Sequence, residues 1–354
     1  MASWVPFKNI NLNEINDNIS LCLEKKQLTN GGKNVLELQN NIKKIFNIDE
    51  NKEVLVTCNG AMGLYSIVGG LNIFYNKKLR WAVQAFTFPC SHQGVLMDSI
   101  IIDIDENMGP NIYELNNRKD DYDGIIITNC FGIVCNIDIY QKFCKENNKL
   151  LVFDNAASSY SIYKDKNILN YGDACMVSLH HTKPIGFGEG GFIIFDKKYL
   201  NEMDKSICFG FTRENRFDYS IFASNYKMSE ISAIYILNFL KNFEHIYQHH
   251  KKLIIYFIHR IKEEKLEKFV SLLPSFADYD KSLLSCIPII FNNKINTNIF
   301  IENKIEAKKY YYPLSFEFTN TVDIFNRIIC LPLTTDITNE TIDFYIDIIK
   351  KIEK

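Results

Sequence analysis

The sequence predicts an α/β protein whose β-sheet is mostly parallel and is covered by helices on both faces. Short runs of apolar residues, such as Gly124–Thr128, have the composition of fully buried strands. Segments with the apolar spacing of amphipathic helices, such as residues 35–46, alternate with these runs. Ligands of such sheets bind at the carboxyl ends of the strands, so residues at those ends are the first candidates for a functional site.

The predicted elements follow each other in a regular order along the first half of the chain. Apolar residues recur at helical spacing in residues 35–46. The apolar strand at 53–57 is followed by the turn Asn59-Gly60, after which residues 61–74 predict a helix. The remaining predicted elements of this part are strands at 81–83, 100–104, 124–128, 150–153, 174–178 and 192–195, and a helix at 138–147.

The pattern changes near residue 240. A long helical pattern rich in lysine and histidine covers residues 238–265, and short strands such as residues 286–291 and a helix at 339–352 follow it. Residues 304–312 are basic and aromatic, which suits substrate contact or a solvated surface. We therefore predict a large domain over residues 1–240 and a smaller α/β domain over residues 241–354.

Composition narrows the class of protein. A chain of 354 residues with 47% hydrophobic content can form one large core and a smaller domain. A net charge of −2 gives no electrostatic reason to bind nucleic acid or an anionic membrane. The ten cysteines form no C-x-x-C pair and no metal-ligand spacing, which indicates free thiols in a reducing compartment and no metal site. With neither a secretory leader nor a long apolar run, the predicted location is cytoplasmic.

One lysine lies directly before a glycine-rich turn, in Ser178-Leu-His-His-Thr-Lys183-Pro-Ile-Gly-Phe-Gly-Glu-Gly-Gly191. Glycines allow the backbone to approach a ligand closely. A lysine held against an apolar wall has a lowered pKa and becomes an amine nucleophile. Such an amine forms a Schiff base with an aldehyde cofactor, of which pyridoxal 5'-phosphate (PLP) is the common one. The alternative is an ordinary solvated lysine.

Three further segments at strand ends supply what PLP chemistry needs. Asp154 ends a strand and is a candidate partner for the pyridine nitrogen, or alternatively a helix N-cap. The amides after Asn59-Gly60 open a helix and suit a phosphate, or they belong to an ordinary strand–turn–helix. Phe88 follows a strand and can stack on a cofactor ring, or it is a core aromatic.

Taken together, these segments resemble the DegT/DnrJ/EryC1/StrS family of PLP-dependent sugar aminotransferases over roughly residues 28–333. The two specific segments are the lysine segment that begins at Ser178 and Asn225-Tyr-Lys-Met-Ser-Glu230, which is similar to the family's cross-subunit motif. The supporting segments are residues 28–31, 59–62, 86–88, 129–132, 154–157, 312–314 and 330–332.

The resemblance implies fold type I, with a three-layer α/β/α large domain, a mixed seven-stranded sheet and a smaller C-terminal α/β domain. It implies that Lys183 forms the Schiff base and shuttles a proton, that Asp154 pairs with the pyridine nitrogen, and that Phe88 stacks on the ring. The other cofactor contacts that it implies are Gly60, Ala61, Met62 and Ser178 at the phosphate, and Asn225 at the phosphate bound by the partner in a homodimer.

The resemblance also implies a reaction. L-Glutamate would give its amino group to PLP, and a nucleotide-linked 4-keto-6-deoxyhexose would receive it, giving a 4-amino-4,6-dideoxyhexose nucleotide of the viosamine or perosamine type. Transfer to C3, a dehydratase of the same family and a non-catalytic relative that binds PLP or a sugar are the alternatives. The dehydratases carry histidine at the position of Lys183. The implied substrate contacts are Thr29, Asn30, Phe86, Asn129, His181 and Tyr312.

The chain departs from the family pattern at three positions. Ala61 stands where a small hydroxyl residue is usual, Ala157 where glutamine or histidine is usual, and Asn129 where histidine is usual. Each change alters a polar group that the family directs at the cofactor or the substrate. No residue in the sequence decides the nucleotide, which stays open among dTDP, UDP and GDP.

Overall fold

The structure is a computed structural model that describes residues 2–211 and 216–353. Its strands are β1 (Lys52–Thr57), β2 (Trp81–Gln84), β3 (Ile100–Ile102), β4 (Gly124–Thr128), β5 (Leu150–Asp154), β6 (Ile162–Tyr163), β7 (Lys166–Asn167), β8 (Ala174–Ser178), β9 (Gly191–Asp196), β10 (Val270–Leu272), β11 (Ile287–Phe291) and β12 (Ile328–Leu331). Its α-helices are α1 (Leu12–Glu24), α2 (Lys33–Ile45), α3 (Gly60–Phe74), α4 (Ile112–Asn117), α5 (Ile137–Glu146), α6 (Leu200–Ile207), α7 (Glu230–Leu240), α8 (Phe243–Glu263), α9 (Asn298–Glu302), α10 (Thr319–Arg327) and α11 (Asn339–Glu353).

Seven strands form one mixed sheet in the order β1-β9-β8-β5-β4-β2-β3. Strand β9 is antiparallel to both of its neighbours, and the other pairs are parallel. This sheet confirms the predicted mixed seven-stranded sheet of an α/β fold. Because β4, β5 and β8 lie side by side and run in the same direction, Thr128, Asp154 and Ser178 end at the same edge of the sheet.

Apolar clusters on both faces of the sheet explain why the strand sequences do not alternate with polar residues. Ile125 and Ile127 of β4 belong to one buried cluster, and Ile126 between them belongs to another. Successive strand residues point to opposite faces, so each face of β4 is covered. Burying one such side chain contributes about 1.5–3 kcal/mol to stability.

The C-terminal part has its own antiparallel sheet in the order β10-β11-β12. The pattern predicted as one helix over 238–265 is two helices, because α7 ends at Leu240 and α8 begins at Phe243. The side-chain amide of Asn242 donates to the carbonyl of Phe239 at 3.1 Å and so occupies an acceptor at the end of α7. The domain boundary at residue 240 stays a prediction that coincides with this break.

None of the helices that the structure describes is long and apolar enough to span a membrane. Within residues 2–211 and 216–353, no group of three or more His, Cys, Asp or Glu side chains is arranged to hold a metal ion.

Candidate active site

A cavity of about 480 Å³ lies at the carboxyl ends of β4, β5 and β8. The structure brings seven of the predicted cofactor residues to its wall, namely Gly60, Ala61, Met62, Phe88, Asp154, Ser178 and Lys183. These residues come from four separate segments of the chain, so the fold, and not sequence proximity, assembles them.

Asp154 is the buried carboxylate of this cavity, with 1% of its surface exposed. Its Oδ2 accepts hydrogen bonds from Ser91 Oγ at 3.1 Å and from Thr128 Oγ1 at 3.5 Å, and its Oδ1 accepts one from the amide of Ala156 at 3.0 Å. Burial raises the pKa of Asp154, against these hydrogen bonds and the nearby Lys183, which lower it. Within the described chain no side chain forms an ion pair with Asp154, so a cationic ligand would relieve the cost of its burial.

Lys183 stands on a tight turn between β8 and β9. Its amide donates to the carbonyl of His180 at 2.8 Å, and the amide of Gly186 donates to the carbonyl of Lys183 at 3.1 Å. A Cβ at Gly186 would lie 2.1 Å from the carbonyl oxygen of His180, so the turn closes only around glycine. Burial lowers the pKa of the Lys183 amine, and the charge of Asp154 opposes that shift. A larger fraction of uncharged amine is what a nucleophilic lysine requires.

The start of α3 forms one end of the cavity. Asn59 caps the helix, since its Oδ1 accepts a hydrogen bond from the amide of Met62 at 2.9 Å. A Cβ at Gly60 would lie 2.9 Å from Cβ of Ser178, so glycine is needed for β8 and α3 to approach. The amide of Met62 is already paired with Asn59, which leaves the helix start at Gly60 and Ala61 and the Ser178 hydroxyl as the nearest donors for a phosphate.

An aromatic wall closes another side of the cavity. The Phe88 side chain is 52% exposed and lines the cavity, with its ring edge-on to Tyr311 at 6.3 Å. Tyr311 stacks on Phe131 with ring centroids 5.0 Å apart. Phe86 is fully buried and packs edge-on against Tyr311 at 5.7 Å, so it supports this wall from behind.

Three of the predicted substrate residues lie close to the cavity without lining it. The amide of Asn129 is buried, donates to Asn155 Oδ1 at 2.8 Å and accepts from the amide of Cys135 at 3.0 Å. Nδ1 of His181 accepts from the amide of Gly188 at 3.3 Å. Phe86 lies behind Tyr311. The roles of Asn129, His181 and Phe86 toward a substrate stay predictions.

The other predicted residues lie elsewhere on the surface. Asn30 and Lys227 line a second cavity of about 460 Å³. Thr29, which precedes Asn30 in the chain, is exposed. Asn225 is also exposed, and its Oδ1 accepts from the Lys227 amine at 2.6 Å. Tyr312 is 62% exposed and packs against Phe316 and Phe325 instead of facing the first cavity. The assignments of Thr29, Asn30, Asn225 and Tyr312 stay predictions.

Several lining residues were not predicted as site residues. Nδ1 of His180 lies 2.8 Å from the hydroxyl of Thr182, and its Nε2 lies 3.5 Å from Glu189. The basic and aromatic segment 304–312 does contribute to the cavity, through Lys308, Tyr310 and Tyr311. Trp4 also lines it, and the Lys308 amine lies 4.8 Å from the centre of the Trp4 ring.

The donor set of this cavity fits PLP. The Lys183 amine can hold the aldehyde carbon, and the buried carboxylate of Asp154 suits a protonated pyridine nitrogen. The exposed face of Phe88 suits an aromatic ring, and the helix start beside Ser178 suits a phosphate.

Comparison with known proteins decides the family. The sequence profile of the DegT/DnrJ/EryC1/StrS aminotransferase family matches residues 9–350. The chain belongs to this family. Membership confirms three predictions: the family, the class of enzyme as an aminotransferase, and PLP as the cofactor.

Individual members of the family are distant from this chain. The dTDP-4-amino-4,6-dideoxy-D-glucose transaminase of Shigella dysenteriae is 22% identical, over 95% of this chain and 94% of that protein. The crystal structure of a DegT/DnrJ/EryC1/StrS aminotransferase from Brucella abortus superposes with a TM-score of 0.80 at 16% identity, covering 96% of this chain and 95% of that one. A GDP-4-keto-6-deoxy-D-mannose-3-dehydratase of E. coli has the same fold, with a TM-score of 0.81 at 16% identity over 97% of this chain and 100% of that one. The fold is therefore shared by transaminases and dehydratases.

Proposed function

We propose that this protein transfers the amino group of L-glutamate to a nucleotide-linked 4-keto-6-deoxyhexose and yields a 4-amino-4,6-dideoxyhexose nucleotide of the viosamine or perosamine type. The observation that carries the proposal is that Lys183 and Asp154 face one cavity, the lysine with a lowered pKa and the aspartate buried. The name of the Shigella dysenteriae relative supports an amino group at C4.

Five residues in and around the cavity have defined tasks in this reaction. When bound, PLP supplies the electron sink that allows an amino group to leave one carbon and join another. The Lys183 amine would hold the cofactor and move a proton between carbon centres. Asp154 would keep the proton on the pyridine nitrogen, and Ser91 and Thr128 hold the Asp154 carboxylate in place. Phe88 would pack on the ring face.

Lys183 favours a transaminase over a dehydratase, because the dehydratases of the family carry histidine at that position. The presence of both Lys183 and Asp154 disfavours a non-catalytic binding protein, which has no need of either group. Transfer to C3 instead of C4 stays the second candidate, because no lining residue distinguishes the two carbons.

We propose that the active unit is a homodimer with its active sites at the subunit interface. The exposed Asn225 and the second cavity beside it support this, since Asn225 does not reach the first cavity of its own chain. Sedimentation of the purified protein gives the mass of the unit, and a monomer would refute the proposal. We further propose a cytoplasmic location, in keeping with the ten unpaired cysteines.

The decisive experiment is a visible absorbance spectrum of the purified protein with PLP, before and after addition of glutamate. We expect a yellow band that glutamate removes and that the Lys183→Ala protein lacks. A matched control is Lys149→Ala, since Lys149 precedes β5 at the end opposite Asp154 and its amine donates to the backbone carbonyl of Tyr122. The control protein should give the wild-type spectrum.

The sugar is then identified with a panel of dTDP-, UDP- and GDP-linked 4-keto-6-deoxyhexoses. Mass spectrometry of each reaction shows whether an amino sugar forms, and NMR of the product shows whether nitrogen is at C4 or C3. The contrary outcome is that glutamate removes the yellow band while no member of the panel gives an amino sugar. That result would show that the protein takes the amino group from glutamate, and it would refute the proposed acceptor.

A further inference from the structure

A lysine outside the cavity lies directly beneath the turn that carries Lys183. The amine of Lys8 donates to the carbonyl oxygen of Lys183 at 2.7 Å and to that of Gly186. These two carbonyls mark the first and last residues of the turn. Lys8 therefore joins both ends of the turn from a position 175 residues earlier in the chain.

Lys8 is buried and is not a surface charge. Its side chain is 7% exposed, and its amine lies 4.6 Å from the centre of the Phe239 ring. An ammonium group has three donors, and here two of them are used by carbonyls while the cation faces an aromatic ring. Within the described residues, no carboxylate forms an ion pair with Lys8.

The segment around Lys8 is itself fixed to other elements. The amide of Phe7 donates to Asp336 Oδ2 at 2.8 Å, and the amide of Asn11 donates to the side chain of Asn238 in α7 at 2.7 Å. Lys8 is held between these two anchors, so its amine meets the turn from a fixed direction.

The charged and titratable groups that face Lys8 are on the turn and on α8. Burial lowers the pKa of His181 on the turn and of His250 on α8, and the charge of Lys8 adds a smaller contribution in the same direction. Burial lowers the pKa of Lys8 itself to about 7. A deprotonated amine retains two N–H donors, so the contacts with both carbonyls survive the loss of the charge.

We propose that Lys8 is a positioning residue that sets the direction of the Lys183 side chain by holding the carbonyls of Lys183 and Gly186. The proposal rests on the proposed role of Lys183. Loss of the Lys8 amine would leave two buried carbonyl oxygens without that donor and would loosen the turn.

The test compares Lys8→Met, which keeps the length of the side chain without a donor, with Lys8→Arg, which restores donors and charge. The matched control is Lys149→Met, whose amine likewise donates to a carbonyl, that of Tyr122 at 2.8 Å, and lies near an aromatic ring. Hydrogen exchange of the PLP-free proteins is measured by mass spectrometry. In Lys8→Met we expect about tenfold faster exchange confined to residues 179–190, and no such change in the other two variants.

The second readout is the reaction of the PLP-loaded protein with glutamate. In Lys8→Met the rate at saturating glutamate should fall about tenfold, while the glutamate concentration for half-saturation stays the same, because Lys8 does not reach the substrate. Lys8→Arg should restore the rate. Wild-type exchange at residues 179–190 in Lys8→Met, or an unchanged rate, would overturn the proposal.

Two further outcomes also decide the proposal: failure of the wild-type protein to bind PLP, and failure of Lys8→Met to fold. A wild-type protein that forms no bond with PLP refutes both the proposed function and the role of Lys8. If Lys8→Met does not fold, acetylation of the wild-type protein decides, with the exposed Lys142 as reference. Modification of Lys8 about tenfold slower than that of Lys142 supports the buried contact, and equal rates overturn it.

Discussion

The hydroxyl of Ser91 donates a hydrogen bond of 3.1 Å to the carboxylate of Asp154. Ser91 in turn lies 3.0 Å from the hydroxyl of Thr87, which lies 2.6 Å from that of Thr128. Three hydroxyl groups thus form one connected network around a buried carboxylate. Such a network stabilises the ionised form of Asp154 against the cost of burial.

Removal of the Ser91 hydroxyl should make the ionised form of Asp154 harder to maintain. The hydrogen bond from Ser91 lowers the pKa of Asp154, so Ser91→Ala raises that pKa further and moves the loss of activity on the acid side to higher pH. We expect kcat/KM at pH 6 to fall about tenfold, with a smaller loss at pH 8. The measurement is a pH profile of kcat/KM with glutamate. Ser206→Ala, at a buried serine that bonds only backbone carbonyls, is the control. Identical profiles for Ser91→Ala and wild type would show that Ser91 does not act on Asp154.

A hydroxyl placed on Ala61 should strengthen PLP binding. Ala61 lines the cavity at the start of α3, beside the donors assigned to the phosphate. Ala61→Thr adds a donor worth about 1 kcal/mol, so the dissociation constant of PLP should fall roughly fivefold. Ala61→Val has the same shape without the hydroxyl and should give no gain. Equal effects of the two substitutions in an equilibrium titration would mean that shape, and not a hydrogen bond, decides affinity here.

Glu230 should contribute to stability and not to chemistry. It begins α7, is 1% exposed, and its Oε2 accepts from the amide of Asn34 at 2.8 Å and from the Asn34 side chain at 3.0 Å. We expect Glu230→Gln to lower the free energy of unfolding by about 1–3 kcal/mol in a denaturant titration, because a charged acceptor is lost at the start of α2. Glu244→Gln, on the exposed first turn of α8, should change it by less than about 0.5 kcal/mol. If Glu230→Gln retained full stability but lost the PLP absorbance, Glu230 would have a role in the site instead.

Buried His250 should make the protein less stable in acid. Its Nδ1 donates to the carbonyl of Leu284 at 3.0 Å, and burial lowers its pKa to about 4, below the value of about 6.5 in an unfolded chain. Between these two pH values the unfolded chain binds the proton and the folded chain does not, so stability is lost as the pH falls from 6.5 toward 4. The loss is on the order of 3 kcal/mol.

Thermal unfolding at a series of pH values measures this effect. The His250→Asn protein keeps a donor for the Leu284 carbonyl and cannot titrate, so its melting temperature should depend less on pH between 4 and 6.5. His259→Asn, at an exposed histidine, should keep the wild-type slope. A wild-type slope in His250→Asn would show that other groups govern the acid limit.

The strands of the large sheet could be predicted because both faces are covered. Gly124–Thr128 and Ala174–Ser178 have the predicted bounds, since an all-apolar strand has sharp limits in the sequence. Helix α10 (Thr319–Arg327) was not predicted, because its sequence is polar and its N-terminus depends on a distant residue. The carboxylate of Asp103 accepts from the amides of Asn320 and Thr321 at 2.8 and 3.0 Å, across more than 200 residues of sequence. The sequence near α10 therefore contains no pattern that predicts this cap.

Site residues could be predicted where their residue type at the carboxyl end of a strand suggests a particular chemical role. Lys183, Asp154 and Phe88 meet in the cavity as expected. The tyrosines that line the cavity are Tyr310 and Tyr311, whereas the family resemblance implied Tyr312. Three consecutive tyrosines are chemically alike, and only the path of the backbone decides which ones face inward. Lys8 was missed for a related reason, since its partners are backbone carbonyls and the sequence gives no sign of them.

The pairing of Ser178 with Gly191 has a consequence for how this enzyme can vary. The segment that carries Lys183 leaves the sheet from β8 and returns to it in the adjacent β9, so its two ends are neighbours. Its turn from Lys183 to Gly186 is fixed by Gly186 and Lys8, whereas Glu189, after that turn, is exposed and lines the cavity. Replacement of Glu189 is therefore a practical way to reshape the mouth of the cavity without redesigning the fold.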